Sequence, residues 1–257
     1  MRLLVNSAEL GPDDTVLEVG CGTGSMTALL AQEAGAVVTV EIDKGLANIA
    51  ARELAPYKNI SLLCTDVLAQ KGRIDDALMT EVVRASAHLG GAFKVVANLP
   101  YQVASPLLIN LLLAESPPQG VFVTVQLEVA QRMAAAPASK AYGALSIFMQ
   151  AVGSVRLLRK VNPQSFWPMP QIDSAMVAWQ LDSEKHAAIR DKQLLRHAID
   201  LLLGHRRKKI RTCLAHGDGA TDYAPLLEKV GIDPDQRGET LGPEQFVRLA
   251  NLLAEAS

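Results

Sequence analysis

The sequence is poor in cysteine: its three cysteines, Cys21, Cys64 and Cys213, lie far apart and show no C-x-x-C spacing. Small secreted domains carry closely spaced cysteines in even numbers, and structural zinc sites need several cysteine or histidine ligands at short intervals. The pattern therefore excludes a disulfide framework and gives no support for a metal site. It predicts a protein of a reducing, cytoplasmic compartment.

Long hydrophobic runs and a strong charge of either sign are also lacking. No apolar stretch approaches the roughly 18 residues of a membrane span, and the N-terminus has no signal-peptide pattern. The formal net charge is −2, so a basic surface for a nucleic acid must be local. With 257 residues, 49% of them hydrophobic, the chain is predicted to be soluble and globular, without a membrane partner.

What the sequence does contain is a regular alternation of short β-branched runs with segments of helical apolar spacing. This alternation predicts a doubly wound, mostly parallel α/β sheet. Only a short proline-rich loop separates the last two runs, which predicts an antiparallel closing hairpin. The predicted strands are residues 15–19, 36–42, 60–64, 93–97, 121–125, 155–158 and 175–181.

The C-terminal part has a different pattern. Beyond residue 183 there is no strand pattern, and the apolar spacing is helical in residues 185–203, 206–214, 225–230 and 243–254. We therefore expect two domains, an α/β domain at residues 1–183 and a small all-helical domain at residues 184–257.

One tetrapeptide, Asn98-Leu99-Pro100-Tyr101, follows the predicted strand at residues 93–97. It would stand at the carboxyl end of that strand, where open α/β sheets bind ligands. Asn98 offers a side-chain carbonyl, and Pro100 favours an extended Leu99 whose backbone carbonyl points in a fixed direction. Two acceptors could converge on a purine amino group, with Tyr101 as a stacking face. A proline-containing turn with a core tyrosine is an equal alternative on these residues alone.

Three more features stand at successive strand ends. The loop Gly20-x-Gly22-x-Gly24 lets a ligand approach the backbone closely and exposes amide donors at a helix start. Glu41 can accept both hydroxyls of a ribose, and Asp66 can accept from an adenine amino group. Each acid alone is more commonly a solvated residue. Their succession makes coincidence a weaker explanation.

These motifs, in this order and spacing, resemble the class I S-adenosylmethionine-dependent methyltransferases, and the tetrapeptide is similar to the Asn-x-Pro-Tyr signature of those that methylate an adenine amino nitrogen. Three downstream segments resemble the small-subunit ribosomal RNA adenine dimethyltransferases of the KsgA type, and with them the resemblance covers nearly the whole chain. They are Pro163-x-x-Phe166-x-Pro168-x-Pro170-x-x-Asp173-Ser174-Ala175, the basic run His205-Arg206-Arg207-Lys208-Lys209-Ile210-Arg211, and residues 237–246.

The resemblance implies a Rossmann-like class I fold with a seven-stranded sheet and N6-dimethylation of adenines in small-subunit rRNA, on the RNA or on a pre-30S particle, by a monomer. The implied cofactor is S-adenosylmethionine, and the implied metal content is none. Asn98, Leu99, Pro100, Tyr101 and Phe166 would form the catalytic site. The residues implied to bind the cofactor are Gly20, Gly22, Gly24, Glu41, Ile42, Asp66, Val67 and Asn98.

The basic run is the local positively charged surface that an RNA-binding protein with a net charge of −2 needs. Arg206, Arg207, Lys208, Lys209 and Arg211 repel one another, and a phosphate backbone would relieve that repulsion. We therefore expect RNA binding here, although an ordinary solvated helix face has the same composition.

Two departures from the family pattern keep other functions open. Cys21 stands where the family usually has proline, and the usual upstream Gln-x-Phe-Leu segment does not precede Arg2. We therefore expect a misassigned start, a truncated chain, or a member that has lost part of its cofactor site. One alternative is an Erm-type methyltransferase of large-subunit rRNA. The other is a ribosome-assembly factor that binds RNA without catalysis.

Overall fold

The computed structural model describes residues 1–68, 73–100, 102–165, 171–205, 208–215 and 223–256. The chain divides into two compact units, of which the first comprises Met1–Ala130 and Val155–Leu181 and the second comprises Gln131–Ser154 and Asp182–Ser257. Within the described ranges, no helix is long and apolar enough to cross a membrane.

The first unit is built on one seven-stranded sheet in the order β3-β2-β1-β4-β5-β7-β6. The pairs β1–β2, β2–β3, β1–β4 and β4–β5 are parallel, whereas β7 runs antiparallel to β5. The predicted mostly parallel sheet is thus confirmed. The strands are β1 (Thr15–Val19), β2 (Ala36–Glu41), β3 (Ile60–Cys64), β4 (Phe93–Asn98), β5 (Gly120–Gln126), β6 (Gly153–Val161) and β7 (Ser174–Leu181).

Helices connect these strands along the chain. They are α1 (Arg2–Ser7), α2 (Ser25–Glu33), α3 (Lys44–Glu53), α4 (Asp76–Ser86), α5 (Ala104–Leu113) and α6 (Leu127–Met133). One core cluster joins Leu4 and Val5 of α1, Met26 and Leu30 of α2, and apolar residues of several strands. Burial of these side chains, worth roughly 1.5–3 kcal/mol each, holds both helices on the sheet.

The strand order places a topological switch beside β1. The chain goes from β1 to β2 and β3 on one side and returns to β4 on the other side of β1. At such a point the connections leave in opposite directions and open a crevice at the carboxyl ends of the strands. Gly20 and Asn98 stand at the carboxyl ends of β1 and β4.

The second unit is helical. Its helices are α7 (Ala144–Ala151), α8 (Ser183–Ala187), α9 (Lys192–Leu203), α10 (Ile210–Leu214), α11 (Ala224–Val230) and α12 (Pro243–Ala256). The predicted helix at residues 185–203 is two helices, because the Asp191 carboxylate accepts from the backbone N–H groups of Gln193 and Leu194 and starts α9 anew.

Residues 131–154 group with this unit, although the sequence pattern suggested a single boundary near residue 183. The physical reason is a set of contacts to the C-terminal segment. Tyr142 is fully buried and its O–H donates to the Leu241 carbonyl at 2.8 Å, while the Ala138 N–H donates to the Glu239 carbonyl at 2.8 Å. Nothing in the local sequence marks these pairings across about 100 residues.

Candidate active site

A cleft of about 770 Å³ lies at the switch point in the first unit. Its size suits a nucleoside-sized ligand. Backbone and side chains of the glycine loop, the end of β4, α1 and the end of β6 contribute to it. The lining residues that matter below are Glu18, Gly20, Cys21, Gly22, Asn98, Thr124, Arg159 and Lys160.

The glycine loop has the backbone conformation that only glycine adopts readily. Gly20 and Gly22 have φ values of +77° and +59°, in the left-handed region that a Cβ disfavours. A Cβ on Gly20 would also stand 3.3 Å from Cγ of Pro100. The loop and the Asn98-Leu99-Pro100 stretch are therefore packed directly against each other.

Glu41 holds this loop in place. Its Oε2 accepts from the Gly22 N–H at 2.9 Å, and its Oε1 accepts from the Asp43 N–H at 3.0 Å. The side chain is buried and lies behind Gly22, outside the lining of the cleft. Each carboxylate oxygen has a second lone pair, so the residue can still accept from a ligand hydroxyl.

Glu18 is a cleft residue that the sequence interpretation did not single out. Its Oε2 accepts from the hydroxyls of Thr27 at 2.6 Å and Thr39 at 3.0 Å, but its Oε1 is buried without a partner among the described residues. Burial raises the pKa of this carboxyl to about 7, which the two threonine hydrogen bonds only partly offset. A charged residue within the apolar strand Thr15–Val19 was the available signal.

The unpaired Oε1 is compatible with a cationic ligand in the cleft, such as S-adenosylmethionine. A buried carboxylate oxygen without a donor is costly, and a cationic ligand group would satisfy it. The cofactor carries an ammonium and a sulfonium charge together with ribose hydroxyls. Glu18 and Glu41 match these groups in kind, and the glycines of the loop leave room for the ligand to approach the backbone.

The Asn-Leu-Pro stretch presents one polar side chain to the cleft. Asn98 is exposed and lines the cleft, whereas the Leu99 side chain is buried and the Leu99 N–H donates to the Thr124 carbonyl at 3.0 Å. Leu99 therefore anchors the stretch to β5 while Asn98 faces the cleft. Two residues predicted to stack on a base, Tyr101 and Phe166, lie outside the described residues.

The other predicted cofactor residues are spread along the same edge of the sheet. Asp66 is exposed, and its Oδ1 accepts from the Leu68 N–H at 3.0 Å. Val67 is buried and Ile42 is 65% exposed. Gly24 is the N-cap of α2 and faces Leu54. None of these four belongs to the described lining of the cleft.

The predicted basic cluster lies in the second unit. Lys209 and Arg211 both pair with Oδ1 of Asp235, at 3.1 Å and 2.9 Å, while Lys208 is exposed. The other two members, Arg206 and Arg207, fall outside the described ranges. The single carboxylate of Asp235 therefore neutralises part of the positive charge of Lys209 and Arg211. In the part of the chain described, no three His, Cys, Asp or Glu side chains could together hold a metal ion.

Comparisons with known proteins agree on one family. The model of the family described as ribosomal RNA adenine dimethylase matches residues 1–255. A ribosomal RNA small subunit methyltransferase A of Pelotomaculum thermopropionicum is 35% identical, and the alignment covers 98% of this chain and 86% of that protein.

Solved structures show the same fold. A dimethyladenosine transferase from Plasmodium falciparum is 20% identical with a TM-score of 0.76, and the superposition covers 98% of this chain and 94% of that one. The 23S rRNA methyltransferase ErmE is 24% identical with a TM-score of 0.65, covering 98% and 96%.

Proposed function

Because the chain belongs to the ribosomal RNA adenine dimethylase family, we propose that it transfers methyl groups from S-adenosylmethionine to N6 of adenines in small-subunit ribosomal RNA, giving N6,N6-dimethyladenosine. The observation that carries this proposal is the cleft, where Asn98, the glycine loop and the unpaired Glu18 oxygen meet. Acceptors for an amine and a site for a cationic cofactor are thus adjacent.

S-adenosylmethionine, when bound, supplies a methyl group that is activated because it is bonded to the positively charged sulfonium sulfur. Glu18 would accept a hydrogen bond from the ammonium group of the cofactor or attract its positive charge. Glu41 would accept from the ribose hydroxyls while it also accepts from the Gly22 N–H. Asp66, Ile42 and Val67, at the ends of β3 and β2, would contact the cofactor's adenine. The lack of a side chain at Gly20 and Gly22 would allow the cofactor to approach the backbone closely.

Catalysis needs an oriented amine more than a strong base. The bound cofactor would supply the methyl group to the N6 lone pair and leave as a neutral thioether, and the methylated nitrogen would lose its proton to water. The Asn98 side-chain carbonyl and the Leu99 backbone carbonyl would accept from the N6 hydrogens and localise that lone pair. Orientation and preorganised acceptors then supply the rate enhancement. Tyr101 and Phe166 would stack on the target base.

We assign binding of the cofactor and of the target adenine to the first unit, and binding of the RNA backbone to the second unit. Lys208, Lys209 and Arg211, with Arg206 and Arg207, would bind phosphates. The RNA must present an unpaired or splayed adenine, as ribosomal loops do. The proposed substrate is the small-subunit rRNA or a pre-30S particle, bound by a cytoplasmic monomer without metal.

The test of this function is nucleoside mass spectrometry. Undermethylated small ribosomal subunits are incubated with the protein and S-adenosylmethionine, and N6,N6-dimethyladenosine is expected. Undermethylated large subunits serve as the parallel sample. Product in the large subunit alone would establish the Erm-type alternative, and product in neither would favour the non-catalytic assembly factor. The relative that is 35% identical is named for the small subunit, while the likeness to ErmE shows the fold alone.

Asn98→Ala is the sharpest variant for the catalytic site. We expect methyl transfer to fall at least about 100-fold, as for other single groups that stabilise a transition state. The unfolding temperature should change little because the Asn98 side chain is exposed. Asn6→Ala removes another exposed asparagine, which does not line the cleft, and should retain full activity. Wild-type rates in Asn98→Ala would contradict the role assigned to Asn98.

A further inference from the structure

Strand β6 is an exposed basic edge of the sheet. It ends the strand order, and only its first and last residues, Gly153 and Val161, are buried. The neighbouring β7 has six buried residues in eight. Between the ends of β6 the sequence SVRLLRK carries three cations and no acid. All three, Arg156, Arg159 and Lys160, are exposed.

Two of these cations are not neutralised locally. Nζ of Lys160 lies 2.6 Å from Oδ2 of Asp173, so this lysine fastens the end of β6 to the start of β7. The side chains of Arg156 and Arg159 form no ion pair or hydrogen bond with any residue in the described ranges. Their guanidinium groups are therefore available to an external anion.

The cations of β6 also extend along the strand as far as the cleft. Arg159 and Lys160 line it together with Asn98 and Gly22. Arg156 lies about 10 Å earlier along the strand, on the same face as Lys160 and on the opposite face from Arg159, so the two arginines flank the edge strand on both sides. Charged residues on edge strands commonly serve to prevent pairing with another sheet. That role works at any point along the edge and does not require the cations to reach a ligand cleft.

We propose that the exposed run of β6 binds the backbone of the RNA strand whose adenine enters the cleft, with Arg156 and Arg159 contacting phosphates. Arginine suits this task because its planar guanidinium binds phosphate oxygens in a bidentate manner. The proposal rests on the proposed function, since it assigns the flank of the same site to the same RNA substrate. It adds a phosphate-binding surface in the first unit to the basic cluster of the second.

The test compares RNA binding by wild type, Arg156→Gln/Arg159→Gln and a matched control. The control, Arg52→Gln/Lys58→Gln, removes two exposed cations of the first unit that do not line the cleft. The probe is a fluorescent RNA hairpin with an adenine-containing loop, titrated at several salt concentrations. For the β6 variant we expect roughly tenfold weaker binding and a salt slope smaller by about 1–2. The control should match wild type within about twofold.

Two readouts separate this proposal from its alternatives. S-adenosylmethionine affinity of the β6 variant is measured in parallel, because Arg159 also lines the cleft; weaker cofactor binding with unchanged RNA binding would mean that Arg159 serves the cofactor carboxylate and would overturn the proposal. Wild-type RNA affinity and salt slope in the β6 variant would also overturn it. Failure of the wild type to methylate any RNA would instead refute the proposed function, because the binding titration does not depend on turnover.

Discussion

At the residue scale, Glu18 combines burial, an unpaired oxygen and a raised pKa. A carboxyl whose pKa rises from 4.5 to about 7 on folding holds its proton more firmly in the native state. Between these two values the native state binds more protons than the unfolded state, so the free energy of unfolding falls as the pH rises. The loss of free energy of unfolding caused by ionising this buried carboxyl is complete above pH 7 and absent below pH 4.5.

Glu18→Gln should remove this dependence. The glutamine oxygen can accept from both Thr27 and Thr39, so the hydrogen bonds are kept. We expect the variant to gain up to about 3 kcal/mol over wild type between about pH 5 and pH 8, and to bind S-adenosylmethionine more weakly. Urea unfolding at both pH values measures the difference. Glu33→Gln, at an exposed position on α2, is the control, and parallel pH curves for wild type and Glu18→Gln would contradict the argument.

At the scale of the element, the turn from β1 to α2 packs against the Asn98-Leu99-Pro100 stretch that we propose is catalytic. Gly20→Ala should lose about 1–2 kcal/mol from its left-handed backbone, and its Cβ, 3.3 Å from Pro100, should also displace the Asn98-Leu99-Pro100 stretch. Gly22→Ala has the same backbone strain but nothing within 4 Å of its Cβ. We therefore expect similar unfolding temperatures for the two variants but a larger loss of methyl transfer per bound cofactor in Gly20→Ala.

The control for this pair is Gly90→Ala, because Gly90 has an ordinary backbone and open space around its Cβ. It should leave stability and activity near wild type. Equal losses of transfer in Gly20→Ala and Gly22→Ala, measured at saturating cofactor, would show that the contact with Pro100 does not matter.

The elements themselves were largely predictable from local pattern. Strands 15–19 and 60–64 have the predicted bounds, because β-branched runs between turn residues are a local signal. The helix Leu127–Met133 was not predicted, and β6 is longer than residues 155–158. Among the residues that line the cleft, the glycine loop and Asn98 had been singled out from sequence. Glu18, Thr124 and Arg159 were not, because their place in the cleft depends on which strands are neighbours.

At the scale of the whole molecule, an acidic protein is assigned an RNA substrate. The formal net charge of −2 gives no general attraction, so binding must come from local groups. In the second unit Asp235 holds Lys209 and Arg211, and a phosphate would compete with it. Asp235→Asn should therefore strengthen RNA binding by about threefold and steepen its salt dependence.

Asp200→Asn is the matched control for that change. It alters the net charge of the same unit equally, and Asp200 is exposed with no ion pair among the described residues. Fluorescence titration of the RNA hairpin measures both variants. Equal tightening by the two would indicate a general charge effect, and no change in Asp235→Asn would remove Lys209 and Arg211 from the RNA surface.

The path of the chain has a consequence for synthesis on the ribosome. Strand β7 covers β5 in the sheet, yet it follows β5 only after residues 131–154 of the second unit and β6. Until Ser174–Leu181 has been translated, β5 keeps an open edge, and six of its seven residues are ones that the folded protein buries. Such an edge can pair with other nascent chains. The interval between translation of β5 and translation of β7 therefore carries a risk of aggregation for the nascent chain.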